Sequence, residues 1–184
     1  MPYPHLAGVN YESMVDGEGV RATFYLSGCS HNCPGCHNPE THSPEYGVQI
    51  TEELIKEMAC EIAKRPFING ITLSGGDPFY NPLKTLHFYL HLLEELHMQI
   101  KNRSVPDLWV YTGATFEDLC RAEDTNVRLL LMYTKVVVDG PYIMSCADKS
   151  LPFRGSTNQR IIDVQKTIEK GEIIIYKKTE DKTA

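Results

Sequence analysis

Short apolar runs alternate with longer stretches of helical periodicity along most of this chain, and few folds accommodate that rhythm. Residues 20–27 (VRATFYLS) put Val20, Ala22, Phe24 and Leu26 on one side with period two, the pattern of a strand. After a loop rich in glycine, proline and asparagine, Thr51 can cap a helix with Glu52 and Glu53 in its first turn and Pro66 at its end. Leu54, Ile55, Met58, Ala59, Ile62 and Ala63 form its apolar stripe. Residues 70–73 read as a short buried strand. Asn81-Pro82 then opens a second helix in cap-then-proline order, with Leu83, Leu86, Leu90, Leu93 and Leu96 expected inside. Residues 108–111 are a strand, Thr115 caps a short helix, and residues 127–132 make another helical turn or two. Residues 135–139 (KVVVD) read as a strand buried on both faces, and residues 161–164 and 173–176 are later strand candidates.

Strands alternating with helices imply right-handed crossovers and a mainly parallel sheet. About five or six such units are too few to close an eight-stranded barrel, so the expected fold is α/β, an open or partial TIM-like (βα)5–6 barrel. Ligands in such folds gather in the loops beyond the strands' C-terminal ends, which here read SGCSHNCPGCHN, SGGDPFYN, YTGAT and VDGPY. With no repeat, low-complexity segment or linker, one domain is expected over residues 1–176, followed by a polar, fraying tail at 177–184.

A chain of 184 residues can bury a core unaided, and 42% hydrophobic with 23% charged residues is ordinary for a soluble domain. A net charge of −6 argues against nucleic acid as the main partner. No apolar run approaches the ~20 residues of a membrane helix, and the start lacks the features of a secretion signal. A cytoplasmic protein is expected, and in that setting six cysteines are more often thiols or metal ligands than disulfides. Cys60, Cys120 and Cys146 are scattered and read as small buried hydrophobes.

Cys29, Cys33 and Cys36 are different. Their spacing, Cys-x3-Cys-x2-Cys, would also align on one helix face, but Gly28, Asn32, Pro34 and Gly35 break any helix there. Three thiols converging on a loop point to a bound metal. His31 or His37 could complete a closed Cys3His zinc site with no catalysis. An iron–sulfur cubane usually takes four thiolates, and three clustered ones would leave one iron open, as catalytic sites do. An electron-transfer cluster is disfavoured by the missing fourth cysteine.

CxxxCxxC on the loop after this strand resembles the signature of the radical S-adenosylmethionine (SAM) superfamily. The resemblance implies a [4Fe–4S] cluster on Cys29, Cys33 and Cys36, with the fourth iron chelated by the amino and carboxylate groups of SAM. Reductive cleavage of SAM then gives a 5′-deoxyadenosyl radical that abstracts a hydrogen atom. Gly35 stands where many members carry an aromatic residue, although CPGC occurs in the activase branch. Residues 74–78 (SGGDP), by themselves an ordinary tight turn, resemble the motif that holds the methionyl amino group, with Asp77 in place of Glu. The resemblance thus implies that Gly35, Cys36, His37, Gly75, Gly76 and Asp77 line SAM, His37 through its backbone; His31 reads as a surface residue of the loop.

Residues 16–21 (DGEGVR) and Cys36-His37-Asn38 are similar to activating enzymes of glycyl radical enzymes. Residues 109–113 (WVYTG), 137–140 (VVDG) and 154–160 (RGSTNQR) are similar to the branch that activates anaerobic ribonucleoside-triphosphate reductase. The likeness spans residues 11–164 and implies an oxidoreductase that installs a glycyl radical on that reductase. The electron would come from an external donor of flavodoxin type, since no second cysteine cluster exists. An activase of another glycyl radical enzyme, such as pyruvate formate-lyase, is the nearest alternative. Thr112 and Asp139 end strands at the mouth, either touching SAM or capping turns, and residues 154–160 either line the approach of a protein substrate or form a solvated loop.

Overall fold

The fold is carried by four parallel strands, one face of which packs on helices while the other buries polar side chains beside a smaller apolar cluster. The computed structural model describes residues 2–100 and 104–178. In chain order its elements are β1 (His5–Ser13), β2 (Arg21–Leu26), β3 (Val48–Gln49), α1 (Glu52–Ala63), β4 (Gly70–Gly75), α2 (Pro82–Gln99), β5 (Asp107–Tyr111), α3 (Phe116–Arg121), α4 (Thr125–Tyr133), β6 (Val136–Asp139), β7 (Arg160–Asp163) and α5 (Val164–Lys170). The sheet runs β3-β1-β2-β4-β5-β6-β7. Strands β2, β4, β5 and β6 are mutually parallel, whereas β1, β3 and β7 join antiparallel at the flanks. Among the described residues no pairing joins β3 to β7, so the sheet is open.

The α/β class and the mostly parallel sheet agree with the sequence. The expected five or six units do not: three crossovers link four parallel strands, and antiparallel pairing supplies the remainder. Residues 173–176 form no strand, only a bridge between Ile162 and Ile175. Most of the expected tail, residues 179–184, lies outside the described residues.

Alternation along the strands separates two environments. Ala22, Phe24, Leu26, Ile71, Leu73, Leu108 and Val110 face α1, α2 and α4 and make the main core with Ile55, Met58, Ile62, Phe88, Leu92 and Leu96. Each fully buried Leu, Ile, Met or Phe there contributes about 1.5–3 kcal/mol. The alternate residues Arg21, Thr23 and Thr72 are buried on the other face, beside a smaller apolar cluster of Trp109, Val136 and Val138. Helix α1 starts where Thr51 Oγ1 accepts from Leu54 N at 3.3 Å, and α2 where Asn81 Oδ1 accepts from Lys84 N at 3.1 Å. The inward stripe of α2 is shifted from expectation: Leu86 and Leu96 are buried, but Phe88, Tyr89 and Leu92 join them while Leu83 is exposed. Cys60 and Cys146 are half-buried and Cys120 is exposed, so none is a core residue. Among the described residues no helix is long and apolar enough to cross a membrane.

Candidate metal centre

Beyond the C-terminal ends of β2, β4, β5 and β6 the loops enclose a cavity of about 580 Å³. Its lining includes Cys29, Cys33, Gly35, Cys36, His37, Gly75 and Gly76 together with Thr112, Tyr142 and Arg154. The three clustered cysteines therefore share one cavity wall, and none is bridged to another.

Local sequence sets their arrangement. Cys36 N donates to Cys33 O at 3.0 Å, closing a turn with Pro34 and, at φ 73°, Gly35 in its two central positions. That is the residue order a type II turn requires, and it brings the second and third thiols round to the same side. Asn32, at φ 47°, bends the chain between the first and second. Burial pushes the Cys29 thiol up, while backbone N–H groups of His31 and Asn32 reach its sulfur and oppose that rise. Such donors to a ligating thiolate are how a protein tunes a cluster it holds.

The SGGDP turn crosses the cysteine loop. Asp77 N donates to Gly28 O at 2.8 Å and Gly76 N to Leu26 O at 2.7 Å. A Cβ on Gly76 would lie 2.5 Å from Gly28 O, so only glycine lets the two backbones meet. Asp77 itself lies beneath the cavity and not on its lining. Its Oδ2 accepts from Thr112 Oγ1 at 2.9 Å and Gly113 N at 3.2 Å and bonds His31 Nε2 at 2.7 Å; its Oδ1 accepts from Phe79 N at 2.8 Å. The carboxylate thus fastens the cysteine loop to the loops after β4 and β5. The hydrogen bond to Asp77 raises the His31 pKa, and His31 is a tether where the sequence indicated a surface residue.

Two other residues singled out by sequence are accounted for locally. Thr112 lines the cavity, but its hydroxyl is committed to Asp77. Asp139 is buried away from the lining, accepting from Phe116 N at 2.8 Å and pairing with Arg160, which also forks onto Glu117. Residues 154–160 fold back on β6 through Gln159, whose Nε2 donates to Gly140 O at 3.1 Å. Sequence reasoning missed Tyr142 and Met144; a Cβ on Gly35 would meet the Met144 sulfur at 2.9 Å. No local signal marks either one.

The donor set fits a cluster better than a single ion. Among the described residues no three His, Cys, Asp or Glu side chains are gathered closely enough to hold one metal ion. The thiols line a cavity much larger than one ion, and its remaining lining mixes glycines with polar and aromatic side chains such as Thr112, Tyr142 and Arg154, without a fourth clustered thiol among the described residues. Of the two expected histidines, His31 is turned to Asp77, and His37 stays on the lining with the cysteines.

Comparison with known proteins agrees. Residues 15–162 match a family model described as a 4Fe-4S single cluster domain. Three relatives carry the name anaerobic ribonucleoside-triphosphate reductase-activating protein. That of Vibrio cholerae is 36% identical over 149 residues, covering 80% of this chain and 90% of the relative. That of Enterobacteria phage T4 is 35% identical over 148 residues, 80% of this chain and 86% of the relative. That of Escherichia coli K12 is 34% identical over 150 residues, 79% and 90%.

Proposed function

Because this chain belongs to the family of anaerobic ribonucleoside-triphosphate reductase-activating proteins, we propose that it is an activase that installs a glycyl radical on such a reductase. The observation that carries the reading is that Cys29, Cys33 and Cys36 line one cavity together with Gly35, Gly75 and Gly76, in a chain with those relatives. Cys29, Cys33 and Cys36 hold a [4Fe–4S] cluster, and Gly35, Cys36, His37, Gly75 and Gly76 line SAM beside it. Bound there, the cluster and SAM supply one-electron chemistry that ends in abstraction of a hydrogen atom from the reductase glycine.

The chain's own groups bind, orient and shield. The Pro34-Gly35 turn presents two thiols together, and Gly35, Gly75 and Gly76 leave backbone uncovered for close approach of a ligand. Asp77 is a positioning residue, holding the cysteine loop through His31 and the β5 loop through Thr112 and Gly113. The open sheet forms a partial TIM-like barrel around the face away from its helices, with residues 1–176 as one unit, and its open side admits a polypeptide segment. An external donor of flavodoxin type delivers the electron. Six unbridged cysteines suit a reducing compartment, so the protein works in the cytoplasm.

The test is anaerobic reconstitution with iron and sulfide, reduction, and incubation with SAM and the reductase. The expected result is a brown protein that cleaves SAM and produces a doublet EPR signal on the partner. SAM cleavage with no signal on the reductase, but with one on pyruvate formate-lyase, transfers the activity to the nearest alternative. A colourless protein holding one zinc refutes the reading.

A further inference from the structure

Two glycines of the cysteine loop each stand directly before a clustered cysteine, Gly28 before Cys29 and Gly35 before Cys36. Both have positive φ, at 108° and 73°. Each also seats a side chain brought from elsewhere in the fold. A Cβ on Gly28 would lie 2.5 Å from the Tyr80 ring, and one on Gly35 would lie 2.9 Å from the Met144 sulfur. Both distances fall inside the roughly 3.5–4.0 Å at which non-bonded heavy atoms rest against each other. The glycines therefore leave room that Tyr80 and Met144 fill.

Tyr80 and Met144 are large side chains left 45% and 62% exposed, and neither lines the cavity. They touch the loop from outside the cavity, next to its first and last thiols. The backbone that carries each is itself held. Tyr80 N donates to Asp77 O at 2.9 Å, one residue before the Asn81 cap of α2. Around Met144, Cys146 N donates to Ile143 O at 2.9 Å, and Thr157 N donates to Cys146 O at 2.8 Å, tying that turn to the 154–160 loop. The middle of the cysteine loop is held differently, by the hydrogen bond between His31 and Asp77.

We propose that Tyr80 and Met144 are positioning residues that clamp the two ends of the cysteine loop on its glycines, and so set how firmly iron is held and how readily the cluster is reduced. The assignment rests on the reading that Cys29, Cys33 and Cys36 hold a cluster. Side chains this exposed bury little area, so they add little to global stability. What they restrain is local opening of the loop. They also keep water off the backbone beside two ligating thiolates. A reduced cluster carries one more negative charge than an oxidised one, so water admitted there favours reduction.

Iron release from the reconstituted protein to excess chelator is followed anaerobically, beside the cluster's midpoint potential and urea unfolding of the cluster-free protein. Tyr80→Ala and Met144→Ala are each expected to speed release roughly 3- to 10-fold, the effect of losing a partly buried apolar contact on a local opening. Both should raise the potential and leave the urea midpoint unchanged. Tyr80→Phe and Met144→Leu should restore wild-type values, because ring and volume are kept. Ile143→Ala removes an exposed neighbour that is not among the atoms nearest either glycine, and should change nothing. Gly35→Ala should load less iron, and adding Met144→Ala should recover part of the loss, the remainder being strain at φ 73°. Where an alanine variant loads no iron, Tyr80→Leu and Met144→Val carry the same comparison. Wild-type release and potential in either alanine variant overturn the assignment of that residue. Faster release matched by a lower urea midpoint, or equalled by Ile143→Ala, overturns the clamp. Wild-type protein that takes up no cluster refutes the functional reading, and this assignment with it.

Discussion

At the N-terminal ends of the parallel strands Arg21 is 1% exposed and each of its nitrogens has an acceptor. Nε donates to Thr72 Oγ1 at 2.7 Å, Nη1 to Glu18 O at 3.2 Å, and Nη2 to Ile71 O at 2.7 Å and Asp107 Oδ1 at 2.8 Å. The Trp109 ring lies 5.1 Å from the guanidinium carbon, and Gly70 leaves the room the group fills, since a Cβ there would fall 2.1 Å from Nη1. At the opposite end Arg154 has, among the described residues, one hydrogen bond and a buried Nε without an acceptor. At one end the guanidinium is committed to its own chain, and at the other thiols, glycine backbone and a guanidinium line a cavity. Parallel α/β folds divide labour between strand ends in this way, stability at one and chemistry at the other.

Two substitutions set that contrast at its widest. Cys33→Ala should reduce the glycyl radical signal to background, yet change the stability of the cluster-free protein by no more than about 0.5 kcal/mol, as at other positions away from a packed core. Arg21→Ala should do the reverse. Losing a buried cation with its acceptors costs about 3–5 kcal/mol, while the folded fraction still loads iron. Urea unfolding and iron analysis on the same samples check both. An unfolded Cys33→Ala protein, or a stable Arg21→Ala protein without iron, would erase the distinction between the ends.

His31 tests how far the open end depends on its own tether. His31→Ala should destabilise the fold by about 1–3 kcal/mol, the range for losing one partner of a charged hydrogen bond, and speed the loss of iron to a chelator. Thr112→Ala removes a neutral donor from the same carboxylate and should cost about 0.5–1.5 kcal/mol. If His31→Ala retains iron like the wild type, the cysteine loop holds its shape without Asp77.

The parts legible in the sequence are those fixed by neighbouring residues. The helix starts at Thr51, Asn81 and Thr115 follow from caps within three residues, as does the Cys33–Cys36 turn from Pro34-Gly35. What stayed hidden is set across long separations. Asp77 reads locally as a group facing a ligand's ammonium, but His31, 46 residues away, and Thr112, 35 away, claim its oxygens. Strand β1 was concealed for another reason: it is largely half-exposed, contains Gly8, and slips register between Leu6 and Gly8 and again between Asn10 and Ser13, so no clean alternation marks it. Strand β7 was found, but its antiparallel sense depends on the 154–160 loop folding back on β6, which periodicity does not encode.

Arg160 is the intermediate case, placed at the open end but satisfied like Arg21. Nε donates to Asp139 Oδ1 at 3.0 Å, and Nη1 and Nη2 donate to the Glu117 oxygens at 2.9 and 2.6 Å. Those hydrogen bonds hold the Glu117 carboxyl at about 2, against an ordinary 4.5. The folded state thus binds this proton more weakly than the unfolded state, so ionised Glu117 favours folding. Its contribution is complete above pH 4.5 and disappears as the pH falls toward 2. The side chain is 41% exposed, so solvent screening keeps the effect below about 1 kcal/mol. Glu117→Gln should therefore lower the stability of the cluster-free protein by that small amount at pH 7, and the gap to wild type should narrow as unfolding is repeated at lower pH. SAM affinity should be unchanged, because Arg160 keeps Asp139 and stays off the cavity lining. A Glu117→Gln protein with weakened SAM binding would mean that the ion-paired arginine also serves the ligand, and that a full set of partners does not distinguish a structural guanidinium from one reserved for binding.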